Sequence, residues 1–194
     1  IYNRGGSWKT ERNVEAGRII QDWAAKGYLT EGFSGIGYDD SWSLFVQGEG
    51  AIMITGTWIT GEFIGNSDIR FFLMPPLEAN KGTVRPHVAG TEVPFTLSVK
   101  TQYADLGAEF INFMHSPRAA ELWLKAGLIP TMPADESLLT PDTLITDTYY
   151  AWQALNEANA MGHYIDWTTP TFYDTTTSGL QQLEGSKITP EEFV

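Results

Sequence analysis

The chain has 194 residues, enough for a domain of ordinary size, and 42% of them are apolar, so a globular core can form. With 24 acidic against 12 basic side chains the net charge is −12, which excludes nucleic acid or an anionic membrane as the main partner, because phosphate binding needs clustered Lys and Arg. There is no cysteine, so a disulfide framework and a thiolate zinc site are both excluded.

Periodicity predicts a first amphipathic helix over 9–26, with Val14, Ile19, Ile20, Trp23 and Ala24 near one face and Gly27 ending it. After a glycine-rich loop, 32–37, Asp40 is placed to cap a short helix that carries Trp42, Leu44, Phe45 and Val46 and closes on Gly48 and Gly50. The apolar run 51–54 reads as a strand. The turn Thr55-Gly56-Thr57-Trp58 then sets an indole just past the strand end, before another short helix over 59–64. Further strands are predicted over 69–74 and 94–99, on either side of a polar loop over 78–85. Helices follow over 103–115, 117–126, 145–161 and 173–183, and Thr189, Pro190 and Glu192 spell a capping box that starts one more. Strands come early and mixed with helices, so the class is α/β. No run approaches the ~20 apolar residues of a membrane span. The start Ile1-Tyr2-Asn3-Arg4 has neither an initiator Met nor the apolar core of an export signal, so the chain reads as cut from something longer.

In open α/β sheets ligands lie beyond the carboxyl ends of strands, and Trp58 is expected there, with a flat apolar face beside backbone N–H groups. Sugars present C–H faces and many hydroxyls, so their sites pair aromatic platforms with short polar side chains and carboxylates. The tract 166–174, with Trp167, Phe172 and Tyr173 among threonines and aspartates, concentrates such groups just before a helix. Glu92 interrupts an apolar context before Val93 and Phe95, which fits a carboxylate with a specific partner; ligand contact, a salt bridge and plain exposure all stay open. Trp and Tyr also serve as packing residues, and Trp23, Trp123 and Trp152 on apolar helix faces read as core. Asp39, Asp40 and Trp42 form a smaller acidic and aromatic cluster, in which Asp40 reads first as a helix cap.

Signals for catalysis are thin. His87, His115 and His163 are far apart and offer no metal-binding pair. Gly32-Phe33-Ser34-Gly35-Ile36 lacks the final glycine of a nucleophile elbow, and Gly32, Gly35 and Gly37 do not have dinucleotide-binding spacing. A glycosidase carboxylate pair stays open, since it depends on a side-chain separation that sequence does not give.

Several short motifs follow one another in a fixed order: Phe45, Gly48, Ala51, Met53, Gly56 and Trp58; Met74-Pro75-Pro76-Leu77; Ala89-Gly90-Thr91-Glu92; Leu97-Ser98-Val99; Gly107, Phe110 and Phe113; Ser116-Pro117; and Gly127-Leu128-Ile129-Pro130. In this order the chain resembles the extracellular, periplasmic-type solute-binding proteins of ABC importers, specifically the sugar-binding family 1, over their C-terminal half. Ile52 departs from the pattern by separating Ala51 from Met53, which are usually adjacent, and Gly107 stands where Ala is usual.

The resemblance implies a periplasmic-binding-protein-like II fold with two lobes joined by a hinge. Residues 1–66 and 131–194 would be the two parts of lobe 2, and 67–130 a crossover segment completing lobe 1, whose remainder lies upstream of Ile1. It implies a ligand site made of Trp58, Trp167, Phe172 and Tyr173 from one lobe, and Gly90, Thr91 and Glu92 from the other. It implies a non-catalytic protein, without cofactor or metal, that binds a mono- or oligosaccharide in the interlobe cleft and hands it to the membrane permease. The alternative from another class is a glycoside hydrolase. The expected location is extracellular or periplasmic, membrane-anchored as a lipoprotein in the full-length form. Lacking its upstream partner, the crossover segment is expected to promote non-native self-association.

Overall fold

The structure is a computed structural model that describes residues 7–75, 87–89, 95–162, 164 and 168–194. Its α-helices are Glu11–Ala25 (α1), Tyr38–Val46 (α2), Ala104–Met114 (α3), Pro117–Lys125 (α4), Leu144–Glu157 (α5), Phe172–Glu184 (α6) and Pro190–Phe193 (α7). His87–Val88 (β1) and Met161–Gly162 (β2) pair in parallel, with His87 opposite Met161 and Val88 opposite Gly162. The chain divides into two compact units, 1–53 with 164–194, and 54–163.

In the first unit α1 packs on α6 and α7. Thr10 caps α1 by accepting the Asn13 N–H, and the chain leaves the helix through Gly27, whose φ of 70° is left-handed. Val14 and Gly17 face inward, and Leu183 of α6 is fully buried. Gly17 is small because α7 crosses close by: a Cβ there would stand 3.3 Å from Pro190. The Gln21 amide donates to the carbonyls of Leu183 and Ile188, joining α1 to the last turn of α6 and to the segment before α7. At the surface Arg18 pairs with Glu11, Glu15 and Glu191.

In the second unit a 3₁₀ helix, Thr57–Phe63, packs on α5, and α3 packs on α4. Its buried hydrophobic side chains include Ile59, Phe63, Ile69, Ala119, Ala120, Leu124, Tyr149 and Ala160. Ser116 caps α4 by accepting the Ala119 N–H, ahead of Pro117 at the first helical position. Arg70 holds Asp147 of α5 through two hydrogen bonds, 2.6 Å from Nε and 2.9 Å from Nη2.

Most expected helices form near their expected bounds, and the strands do not. Segments 51–54, 69–74 and 95–99 carry no ladder among the described residues, and Ile52, Ile54, Phe72, Met74, Leu97 and Val99 are exposed. An apolar run becomes a strand only when a neighbouring backbone takes its N–H and C=O groups, and the described residues supply none. The observed pairing uses 87–88 and 161–162 instead, so α5 stops at Glu157, short of the expected 161, and Asn159 turns the chain with a φ of 48°. The described residues are thus mainly helical, with one two-stranded parallel sheet. Asp40 is not the cap of α2. Gly37 occupies that position, and Asp40 sits in the first turn, where its charge favours the helix N-terminus.

Candidate functional site

Trp58 occupies the first turn of the 3₁₀ helix, directly after Gly56 and Thr57, and is 43% exposed. Gly56 has extended backbone angles, φ −107° and ψ 173°, that any residue adopts, so its glycine is a matter of space. A Cβ there would lie 1.9 Å from Cζ3 of the Trp58 ring, and 2.4 and 2.3 Å from the neighbours Cε3 and Cη2. Two flanking atoms at nearly equal, slightly greater distances mark a point above the ring plane rather than beyond its edge. The indole therefore lies face-on against Gly56.

The helix that carries the ring is fixed from behind. Ile59, Thr60 and Phe63 are buried, and the Thr60 hydroxyl is bonded to the Gly127 carbonyl beyond α4, with the Thr57 carbonyl 2.8 Å away. Gly61 meets the same turn so closely that a Cβ would stand 2.9 Å from the Ala126 carbonyl oxygen. Gly127 is constrained twice, by a left-handed φ of 77° and by Ile64, whose Cδ1 would be 2.5 Å from a Cβ. The helix that carries Trp58, through Thr60, Gly61 and the adjoining Ile64, thus shares one structural seat with Ala126 and Gly127, far away in sequence. On the α5 side Asp147 ties down the segment that follows this helix, at Arg70 and Phe71. The Arg70 guanidinium holds its carboxyl below the usual aspartate range, and the Phe71 N–H also contributes.

Phe172 and Tyr173 open α6, the penultimate helix, where the sequence places them, and they belong to the first unit. Tyr173 is 62% exposed. Phe172 is half-buried and meets Trp8 edge-to-face at 5.4 Å; Trp8 meets Phe193 the same way at 5.8 Å. Trp8, Phe172, Thr176, Gly179, Ile188 and Phe193 line a hollow of about 480 Å³. Around it the polar groups serve their own helices. Thr175 donates to the Thr171 carbonyl, Gln182 to the Ser178 carbonyl, and Glu192 accepts the Thr189 N–H. Trp8, just before α1, carries no periodic signal, and sequence reading passed over it.

Trp58 belongs to the second unit, and Phe172 and Tyr173 to the first. Gly90, Thr91, Glu92 and Trp167 lie outside the described residues. Trp23, Trp123 and Trp152, expected in the core, are half-buried, and the Trp123 indole N–H donates to the Met114 carbonyl.

Residues 3–151, most of the chain and the whole Trp58 seat, match the family model of the bacterial extracellular solute-binding proteins. The chain belongs to this family. No curated protein and no solved structure matches it. Within the solute-binding protein, the family match includes Trp58, Gly90, Thr91 and Glu92, whereas Trp167, Phe172 and Tyr173 lie beyond it. Membership establishes a binding role associated with transport, in a family that is extracellular.

Proposed function

We propose that this solute-binding protein is a non-catalytic receptor for a neutral mono- or oligosaccharide, held in a cleft between two lobes and delivered to an ABC permease in the membrane. The observation that carries the reading is the half-exposed Trp58 indole, braced face-on against Gly56 inside the family-matched region. A flat apolar face held in place suits the C–H face of a pyranose. In this reading Trp167 and Tyr173 add aromatic surface, with Phe172 set back against Trp8, and Gly90, Thr91 and Glu92 add polar contacts from the other lobe. Residues 1–66 and 131–194 would form one lobe and 67–130 would complete the other. Ligand contacts made by both lobes would favour the closed form, which the permease reads. The excess of acidic over basic side chains favours an uncharged sugar over a phosphorylated one.

The test is a tryptophan fluorescence titration of the full-length protein with neutral sugars, followed by recovery of the sugar. Saturable binding with the sugar returned unaltered is expected, and Trp58→Ala should weaken it at least tenfold, about 1.4 kcal/mol. Turnover of the sugar would replace this reading with a carbohydrate-active enzyme. Silence across the panel would remove the carbohydrate.

A further inference from the structure

We infer that Gly56 is a positioning residue for ligand recognition: by leaving room for the indole to lie against its backbone, it fixes the plane of Trp58 and restricts a ligand to the ring face turned away from residue 56. The functional half of this inference rests on the proposed role of Trp58; the geometric half does not.

Three observations combine. The backbone angles at Gly56 make no demand for glycine, so the absence of a side chain is needed only for the space that the ring occupies. A methyl at 1.9 Å from Cζ3 cannot coexist with the ring in its present place, and the contact is with the face of a rigid aromatic ring rather than the tip of a flexible chain. The ring cannot escape by moving its helix, because Thr60, Gly61 and Ile64 are held against Ala126 and Gly127. A Cβ at residue 56 would therefore be accommodated by rotating the Trp58 side chain off its seat. With the Gly56 side covered, a sugar can stack on at most one face of the indole, so Trp58 acts as a one-sided platform and not as one wall of an aromatic sandwich around both faces. Its orientation is set before the ligand arrives, which spares the ordering cost that a freely rotating side chain would incur on binding.

The experiment labels the seven tryptophans with 5-fluorotryptophan and follows them by fluorine NMR, the Trp58 resonance being assigned as the one lost in Trp58→Phe. Gly56→Ala should move the Trp58 resonance and leave the others nearly in place, with no sugar present. Thermal midpoints are then measured for Gly56→Ala with the indole present and in a Trp58→Ala background. The added methyl should be harmless once the ring is gone. An unmoved Trp58 resonance, or a loss of midpoint equally large with and without the indole, would overturn the seat. In the full-length protein, titrated with glucose, galactose, maltose and maltotriose at a temperature where the variant stays folded, Gly56→Ala should weaken binding at least tenfold. Unchanged affinity despite a displaced Trp58 would overturn the role in recognition. If the unmutated protein binds none of these sugars, the carbohydrate reading fails, and the fluorine spectra still decide the seat.

Discussion

Tyr149 shows how much a single side chain does in the second unit. It is fully buried on α5, and its hydroxyl accepts the Ala134 N–H at 3.2 Å, so one residue fills the core and also satisfies the backbone of an irregular segment. Tyr149→Phe keeps the ring and strands that N–H. The expected loss is about 1 kcal/mol in a denaturant melt, the net worth of a hydrogen bond to a half-buried donor. A loss within error would mean that water reaches Ala134. Trp58 presents the opposite case, a large apolar side chain that stays 43% exposed while resting against a glycine whose missing side chain leaves it room. Removing Trp58 should cost stability much less than removing Tyr149, while acting far more strongly on ligand affinity. Tyr149 and Trp58 both differ from Phe172, whose edge-to-face contact with Trp8 ties the start of α6 to the segment before α1.

Elements whose signals are local were legible in the sequence. The capping box predicted from Thr189 and Glu192 forms at α7, with each side chain bonded to the other residue's N–H, and Pro190 is buried against α1. Thr189→Ala should therefore cost about 1 kcal/mol, read as a lowered midpoint in the denaturant melt. Restoration by Thr189→Ser would show that the hydroxyl carries the effect. Ser116 at α4 and Gly27 after α1 were legible for the same reason, because a cap and its helix lie within a few residues of each other. Strands were not, since an apolar run says nothing about where its partner backbone is: β1 and β2 are short, unremarkable in composition and distant in sequence. Asp40 was misplaced by three positions because the glycine at 37 leaves no side-chain signal of its own. In the site, the Gly-x-Trp turn announced itself, but the bond from Thr60 to Gly127 spans 67 residues and becomes visible only once the chain is folded.

At the scale of the whole molecule the response to acid is the sum of opposing terms. The net charge of −12 at neutral pH repels itself, and protonating carboxylates relieves that repulsion, so the midpoint of the chain as a whole is a poor reporter of any one pair. The difference between variants is a better one. Asp147 has a folded pKa depressed chiefly by its hydrogen bonds with Arg70, so its contribution is fully present above the unfolded aspartate value, about 3.9, and is lost as pH falls through the depressed folded value. Arg70→Ala should accordingly lower the midpoint at pH 6–7, with the gap to the unmutated chain closing progressively below pH ~4. Glu184 runs the other way. Burial raises its pKa, so the folded state holds the proton more tightly, and stability falls as pH rises from about 4.3 through the raised value. Glu184→Gln should remove that fall, leaving its gap to the unmutated chain widest near neutrality and opposite in sign to the Arg70→Ala gap. Midpoints measured for the three proteins between pH 3 and 7 test both signs together. A pH-independent Arg70→Ala gap would mean that Arg70 stabilises through packing of its side chain on α5 and not through the charge of Asp147.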